Sequence, residues 1–430
     1  MDTEFISVTE AREAIHQLVA QLSLEAASKS APLALNEVIA IEHAMNRILA
    51  NDILSPIDVP AADNSAMDGY AFQSSQLQNI KQEKIKLKIV GSILAGQTQE
   101  FNLSPSDCLK ITTGALMPKD CDTVIPQEFV ELDNDMISFS VKAVKPGENR
   151  RLRGEDLKAN LPALIAGRIL RPSDIGLLAS LGISSIPVKR KLKVALISSG
   201  DELQNLGAPL QKGQIYDSNR YSLQGLLKRL DLDLIDCGIV RDNPDSLRKA
   251  FIQAAQHADV IISSGGVSVG EADFTKQIMQ ELGAIDFWKI AMRPGRPMAF
   301  GALNAVAGKT WAGKTLFFGL PGNPVAVMVT FYQFVRSALL ELNGAKLTRP
   351  TLLKVRTAEA IRKKPGRTEF QRGILFKNDQ GELRTKTTGS QGAGILRSIS
   401  EADCFIILHH EQGNIEVNDW VDVEIFDGLL

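Results

Sequence analysis

Between Lys193 and Leu342, apolar strand runs alternate with helical patterns, and this alternation is the feature that most constrains the fold. A strand followed by a helix and another strand indicates βαβ units, which build a mostly parallel sheet covered by helices on both faces. We predict strands over residues 194–197, 232–240, 260–263, 298–300 and 316–318, and helices over residues 221–230, 244–256, 274–282 and 325–342. The sequence therefore predicts an α/β domain over residues 191–344.

The segments on either side of this region follow other patterns. Residues 55–145 carry short β-rich runs between Gly, Pro and Asn turns, which predicts an inserted β-rich domain. Helices are predicted after Ser7, whose spacing to Glu10 suits a capping box, and over about residues 41–50 and 172–181. We thus predict a multidomain α/β and β chain, in which a helical and linker domain (residues 1–54 plus 146–190) and a C-terminal β domain (residues 345–430) complete the set.

The composition excludes several classes of protein. The 430 residues include 48 basic and 50 acidic ones, a net charge of -2, which argues against a broad nucleic-acid surface. No apolar run approaches the roughly 20 residues of a membrane span, and the N-terminus lacks the apolar core of a signal peptide. We therefore expect a cytoplasmic protein that binds neither nucleic acid nor membrane.

Cysteine and histidine are sparse. The four cysteines never form a Cys-x-x-Cys pair, and the five histidines are scattered apart from His409 and His410. This pattern favours reduced thiols over a disulfide framework or a zinc site. If the chain is an enzyme, we expect carboxylates and cations to carry the chemistry.

Glycine-rich loops follow two of the predicted strands, at residues 198–202 and 263–273. Ligands of an open parallel sheet bind beyond the carboxyl ends of its strands. Glycines let the backbone approach a ligand, and loop amides with a following helix N-terminus favour an anion. Asp273, near the start of that helix, is placed to hold a divalent cation against a phosphate. For either loop alone, a tight turn with an N-terminal helix charge is the alternative.

Two further loops have simpler explanations. Residues 319–324 contain Pro321 and Pro324, and a stiff strand-to-helix connector accounts for this loop by itself. Residues 308–315 match the G-x-x-x-x-G-K-[ST] spacing of a phosphate-binding P-loop. That motif needs a helix after it, whereas here it lies between two predicted strands. We therefore expect no P-loop.

Polar segments also lie outside the predicted sheet. Residues 63–70 and 112–115 are rich in side chains that form Asx turns or bind ligands. Residues 146–156 and 365–373 combine arginines with acids, and the planar guanidinium fork suits carboxylates and oxyanions. An exposed charge network is the alternative for each segment. The aromatic interleaving of a single-strand nucleic-acid surface is missing from them.

Together these segments closely resemble the MoeA family of molybdopterin molybdenumtransferases, which includes the gephyrin E domain among its eukaryotic relatives. The resemblance implies an elongated four-domain homodimer with a molybdopterin-binding α/β domain and two smaller β-rich domains. In this family the active site is a cleft between the α/β domain of one subunit and the β domain of the other. The matching stretches, in family order, are residues 63–71, 147–156, 199–203, 215–221, 259–276, 289–301, 319–325 and 366–373.

The resemblance also implies a reaction. Molybdenum from molybdate is inserted into adenylylated molybdopterin, with release of AMP, in a step that depends on Mg²⁺. Other proteins of molybdenum cofactor biosynthesis are implied as partners. Two alternatives stay open, a molybdopterin adenylyltransferase, which shares only the α/β domain, and a non-catalytic scaffold of the same fold.

Site residues follow from the resemblance by motif position. Candidate catalytic residues are Asp68, Thr113, Asp156, Glu202, Asp242 and Asp273, of which Glu202 and Asp273 would hold magnesium. Candidate substrate-binding residues are Ser199, Gly200, Ser264, Gly265, Gly266, Ser268, Pro321 and Pro324, with Lys289, Arg293, Arg367 and Ser390 as candidates for holding molybdate. Ser199 stands where the family often has Thr, and Arg293 and Arg296 stand where it often has Lys.

Overall fold

The computed structural model describes residues 5–29, 35–77, 83–265, 272–304, 314–347 and 350–426. The described residues form two compact units. The first unit comprises Met1–Asn51, Ala166–Gly176 and Ser184–Leu430, and the second comprises Asp52–Ile165 and Leu177–Ile183. The predicted division into four domains stays a prediction.

The first helix, α1 (Val8–Lys29), begins as the sequence predicts. The Glu10 amide donates to the Ser7 hydroxyl over 3.1 Å, and the Ser7 amide donates to the Glu10 carboxylate over 2.7 Å, which completes a capping box. One stripe of this helix, which includes Ile15 and Leu22, is buried in the core of the first unit. Amphipathic spacing therefore predicted the helix and the face that it buries.

The helix predicted over residues 41–50 is wrong. The structure has β1 (Asn36–Ala40) and then only a single 3-10 turn, Ile41–His43. Beyond the turn, Ile48 and Leu49 form isolated bridges to Ile169 and Val188. These backbone bonds to distant segments replace the local bonds of a helix, because tertiary pairing overrides a weak local preference.

The second unit is rich in β-structure, as predicted. Its main sheet has the order β7-β4-β6-β5-β9-β8, in which only β5 and β6 run parallel. Along β5, buried Ile85 and Leu87 alternate with exposed lysines, so one face of the strand packs on the core. The strands are β2 (Ile53–Leu54), β3 (Asn64–Ser65), β4 (Gly69–Phe72), β5 (Lys84–Ile93), β6 (Asp107–Ile111), β7 (Thr123–Pro126), β8 (Glu131–Asp133), β9 (Met136–Ser140), β10 (Arg150–Arg151) and β11 (Pro162–Leu164).

Two elements connect this region to the α/β sheet. The predicted helix at 172–181 is present as α2 (Pro172–Ser180), and β12 (Ser185–Lys189) pairs antiparallel with β1. The α/β strands are β13 (Lys193–Ser199), β14 (Leu203–Gln204), β15 (Ile215–Tyr216), β16 (Asp233–Val240), β17 (Val260–Ser264), β18 (Gly283–Lys289), β19 (Met292–Arg293), β20 (Pro297–Leu303) and β21 (Thr315–Leu320). The helices are α3 (Ser218–Arg229), α4 (Pro244–His257), α5 (Ala272–Leu282), α6 (Pro324–Thr330) and α7 (Arg336–Leu342).

The α/β sheet has the order β16-β13-β17-β21-β20-β18. Its first four strands are parallel, and β20 alone runs in the opposite direction, antiparallel to both β21 and β18. This confirms the predicted, mostly parallel sheet. Both faces are covered. On β13, Leu196 packs into a cluster with α1 and α3, whereas Ile197 packs with Phe251 of α4 on the opposite face. The parallel strands are therefore apolar on both sides.

A long apolar helix follows the sheet, because α6 and α7 are joined by a π-helical turn at Phe331–Val335. The combined helix, Pro324–Leu342, has 19 residues and is long and apolar enough to cross a bilayer. However, 72% of it is buried within the protein. This is the burial expected of a core helix.

The C-terminal segment forms a β-barrel, in which the sheet β23-β24-β22-β26-β25 closes because β25 also pairs with β23. Strand β19 adds to β23 in parallel, so a short piece of the α/β segment belongs to the barrel sheet. The elements are β22 (Leu353–Thr357), β23 (Thr368–Lys377), β24 (Leu383–Thr387), α8 (Leu396–Ser400), β25 (Cys404–Leu408) and β26 (Trp420–Ile425).

Candidate active site

The loops after the parallel strands meet at one edge of the α/β sheet. The Ser199 hydroxyl at the end of β13 donates to the Asp242 carboxylate in the loop after β16. Ser199 is buried and Asp242 half-buried, whereas the Glu202 side chain is exposed. Two of the predicted residues, Ser199 and Asp242, are thus in direct contact, with the Glu202 carboxylate on the solvent side of the same loop.

Gly265 occupies a position at this edge that only glycine can occupy without strain. Its φ is +91°, and a Cβ built on it would lie 2.3 Å from the carbonyl oxygen of Ser199. The Gly265 amide donates to the Leu320 carbonyl over 3.2 Å. The ends of β13, β17 and β21 therefore pack backbone against backbone at Gly265, and only glycine permits this approach.

Asn219 of α3 ties the same loops together. Its side-chain amide donates to the Ser264 hydroxyl over 2.9 Å and to the Gly322 carbonyl over 2.7 Å. Asp217, the N-cap of α3, accepts from the Arg220 amide over 3.1 Å. The sequence placed this helix start within a family-like stretch, but gave neither residue a role.

Several polar atoms in this layer have no hydrogen-bond partner within the described ranges. They are the Ser198 hydroxyl, Oδ2 of Asp217 and Oδ1 of Asn219, and all three atoms are buried. Buried polar atoms without partners are rare in folded proteins, because each has lost its bonds to water. Their concentration at the strand ends favours this edge as a ligand site.

Part of the predicted magnesium and phosphate site lies outside the described residues. Gly266 and Ser268 are not described, and Asp273 is described only as a position in the first turn of α5. The pairing of Glu202 with Asp273 therefore stays a prediction. Where side chains are described, no group of three or more His, Cys, Asp and Glu residues is arranged to hold a metal.

In the second unit, two of the predicted residues, Asp68 and Thr113, are in contact. The Thr113 amide and hydroxyl donate to Oδ1 of Asp68 over 2.7 Å and 2.8 Å. These bonds, from the backbone first, lower the pKa of the exposed Asp68 carboxyl. Asp68 is therefore an anion at neutral pH.

The arginine-rich segment of the second unit is largely an internal charge network. Nε of Arg150 donates to Asp63 over 2.8 Å, and Arg153 pairs with Asp58 over 2.6 Å. These guanidinium groups are already engaged by carboxylates, which favours the charge-network alternative for this segment. Asp156 beside them has an exposed side chain.

A cavity of about 300 Å³ lies in the first unit, between the α/β strand ends and the barrel. Its lining brings together the predicted residues Arg293, Arg367 and Pro321. Pro324 begins α6 next to it, whereas Lys289 and Ser390 are not among its lining residues. The other residues that line the cavity are Met292, Pro294, Gly295, Arg296, Pro297, Gly322, Asn323, Ala326, Gln391 and Ala393.

Arg372 of β23 adds a further cation that sequence reasoning missed. Its side chain is fully buried, and its guanidinium donates to the Ser398 hydroxyl and the Gly392 carbonyl, each over 3.1 Å. Among the described residues, no carboxylate contributes to its electrostatic environment, in which the only charged neighbour is Arg293. Burial, with repulsion from Arg293, lowers the pKa of Arg372 to about 10, so it stays charged at neutral pH.

Family models match nearly the whole chain. The "MoeA N-terminal region (domain I and II)" matches residues 6–182. The "probable molybdopterin binding domain" matches residues 195–341, and the "MoeA C-terminal region (domain IV)" matches residues 354–426. The three models match successive segments of the chain that do not overlap.

Individual relatives agree with these matches. A molybdopterin molybdenumtransferase of Haemophilus influenzae is 43% identical over 396 residues, which cover 92% of this chain and 95% of that protein. One from Nostoc is 37% identical over 375 residues, covering 86% and 84%. The crystal structure of the molybdopterin biosynthesis moeA protein of Pyrococcus horikoshii superposes with a TM-score of 0.76 at 26% identity, covering 98% of this chain and all of that one.

Proposed function

Because the chain belongs to the MoeA family, we propose that it is a molybdopterin molybdenumtransferase, which inserts molybdenum into molybdopterin during molybdenum cofactor biosynthesis. The observation that carries this proposal is the 43% identity over 92% of the chain with a relative of that name. The geometry agrees with it, because a cationic cavity lies beside a glycine-rich strand edge in one unit.

Adenylylated molybdopterin is the substrate proposed for the strand edge. The buried polar atoms beside α3 that lack hydrogen-bond partners among the described residues support a ligand there. Magnesium fits this edge as far as the donor set shows, because Glu202 presents an exposed carboxylate, a hard oxygen donor that the ion prefers. Glu202 and Asp273 would hold it, and a bound ion would neutralise phosphate charge.

Molybdate is the substrate proposed for the cavity. The tetrahedral dianion needs cations and donors, and Arg293, Arg296 and Arg367 supply planar guanidinium groups at the lining. The Arg367 guanidinium pairs through Nε and one terminal nitrogen with Glu369, which leaves its other terminal nitrogen to bind an anion. Arg372 adds a positive charge that burial leaves poorly screened by water. The chain's own work in the reaction is thus to hold the anion close to the pterin and to release AMP.

A homodimer is proposed as the active form. Its support is a set of exposed apolar side chains next to Glu202, since clusters of this kind mark interaction surfaces. These side chains are Leu206, Leu210, Ile215, Tyr216 and Tyr221, which are 41–55% exposed. In such a dimer, Asp68 and Asp156 of one copy would complete the site formed by Glu202 and Asp242 of the other.

Incubation of purified protein with adenylylated molybdopterin, molybdate and Mg²⁺ tests the function. We expect AMP release together with active molybdenum cofactor, and loss of both when molybdate or Mg²⁺ is left out. Adenylylation of molybdopterin by ATP without molybdenum insertion would favour the adenylyltransferase alternative. Absence of both reactions would favour the scaffold.

A further inference from the structure

Lys363 is a buried lysine in the loop that precedes β23. Only 4% of it is exposed. Its ammonium donates to the carbonyl oxygens of Arg367 over 2.7 Å, Lys364 over 2.9 Å and Gln412 over 3.2 Å. Since an ammonium has three protons, these bonds use every donor of Lys363.

The ammonium joins two loops of the barrel, residues 363–367 and 409–414. The Gly366 amide donates to the His410 carbonyl over 2.9 Å, and the Lys363 amide donates to Oδ1 of Asn414 over 3.0 Å. The lysine head therefore occupies the centre of a small ring of carbonyl oxygens, as a bound cation would. It links the loop that carries Arg367 to the loop before β26.

This arrangement is costly to build. Burial lowers the pKa of Lys363, an effect that the charge of Glu369 opposes. A buried charge destabilises a fold unless hydrogen bonds offset its lost hydration, and an apolar residue of similar size often serves stability as well or better. A role in local geometry accounts for a lysine here better than stability does.

The residue that this geometry fixes is Arg367, which lines the anion cavity. Lys363 holds its carbonyl, while its guanidinium donates to Oε1 of Glu369 over 2.8 Å. Glu369 is itself buried, and its other oxygen accepts from Gln371 over 3.0 Å. Both the backbone and the side chain of Arg367 are thus held by residues that do not line the cavity.

We propose that Lys363 is a positioning residue for the anion cavity, which fixes Arg367 so that a tetrahedral dianion such as molybdate binds to a preformed wall. Lys363 does not touch the anion, because its donors are already used. The inference rests on the proposed function of the cavity. Preorganised groups bind ligands more tightly, since no ordering cost is left for the binding step.

The test is Lys363→Met, whose unbranched side chain is one heavy atom shorter and carries neither the charge nor the donors of the ammonium. We expect the Kd for molybdate from equilibrium dialysis, and the KM for molybdate, to rise about tenfold, the weak end for a lost hydrogen bond to a charged group. The KM for the pterin substrate and kcat at saturating molybdate should stay at wild-type values. Lys364→Met, which removes an exposed neighbouring ammonium, is the matched control and should bind molybdate normally.

A second variant separates positioning from simple stability. Lys363→Ala leaves the ring of carbonyl oxygens without its ammonium, so K⁺ or methylammonium should restore molybdate affinity and tetramethylammonium should not. If Lys363→Met does not fold, Lys363→Gln serves in its place. Its shorter, uncharged amide can donate at most two of the three bonds, so the Kd for molybdate should still rise, by less than in Lys363→Met. A lower unfolding temperature with wild-type molybdate affinity would overturn the proposal. Wild-type protein that neither binds molybdate nor forms cofactor would overturn the proposed function instead.

Discussion

The charge of Asp68 is stabilised mainly by one neighbouring residue, with a smaller contribution from Lys110. Thr113 donates from its amide and its hydroxyl to one carboxylate oxygen. Because these bonds stabilise the anion, the pKa of Asp68 lies below its ordinary value, and the ionised form persists as the pH falls. For the proposed active site, we therefore expect an anionic Asp68 to preserve activity on the acid side of the pH profile.

Replacement of the hydroxyl tests this dependence. In Thr113→Val the amide bond remains and the hydroxyl bond is lost, so the pKa of Asp68 should rise part of the way towards its ordinary value. We expect the acid limb of kcat/KM against pH to move to higher pH, with little change at neutral pH, where Asp68 is ionised in both proteins. Thr113→Ser keeps the hydroxyl and should retain the wild-type limb. An unmoved limb in Thr113→Val would show that the charge of Asp68 does not limit activity.

Some of the cationic residues at the anion cavity were predicted from the sequence and others were not. Arg293 and Arg367 were predicted as molybdate-holding residues by their motif positions in the family resemblance. Arg372 was not, because strand alternation gives no reason to bury a guanidinium. Both faces of β23 are buried around Arg372. That burial comes from segments distant in sequence, such as α8, whose Ser398 contacts it.

At the scale of elements, the strand ends pack as one unit around Gly265. Two glycines allow the cause to be separated, because Gly265 and Gly213 share a φ of +91°. A Cβ on Gly213 would meet no atom within 4 Å, whereas one on Gly265 would lie 2.3 Å from the Ser199 carbonyl. A side chain at Gly213 would therefore cause backbone strain alone, whereas one at Gly265 would cause backbone strain and a steric clash.

Alanine at each position should therefore give different results. Gly213→Ala should lower the free energy of unfolding by about 1–2 kcal/mol, the cost of a left-handed non-glycine residue, and leave the pterin KM unchanged. Gly265→Ala should lose at least about twice as much, since the ends of β13 and β17 must separate. It should also raise the pterin KM. Urea unfolding and steady-state kinetics measure both, and equal losses in the two variants would contradict the packing argument.

Most elements were predictable because the hydrophobic periodicity and the positions of turn residues indicate the same boundaries. Apolar runs such as residues 260–263 are bounded by turn residues, and β17 lies at that run. The failures occur where pairing depends on distant segments. Within residues 41–50, Ile48 forms a bridge to Ile169, which precedes α2, and Leu49 forms one to Val188 of β12. The two-residue strand β19 is likewise defined by its pairing with β23. No local pattern encodes such contacts.

For the whole molecule, the candidate catalytic carboxylates are divided between the two units. Asp68 and Asp156 lie in the second unit, and Glu202 and Asp242 lie in the first. The near-zero net charge therefore conceals local differences, because acidic positions such as these are offset elsewhere by basic residues, including the arginines that line the cavity. In the proposed dimer, each active site takes one set of acids from one copy of the chain and the other set from its partner. This arrangement predicts an outcome that differs from that of a site formed within a single copy.

Mixing two inactive variants tests that assignment. Asp68→Ala and Glu202→Gln homodimers should each be inactive, since every site in them carries one defect. When the two proteins are co-expressed in equal amounts, half of the dimers are mixed, and each mixed dimer has one site with both defects and one intact site. Activity should therefore return to about a quarter of wild type. Asp68→Ala with Asp156→Ala, two defects in the same unit, is the matched control and should stay inactive, because no combination gives an intact site. If the first mixture also stays inactive while sequential purification on two different affinity tags recovers mixed dimers, both sets of acids must come from one copy.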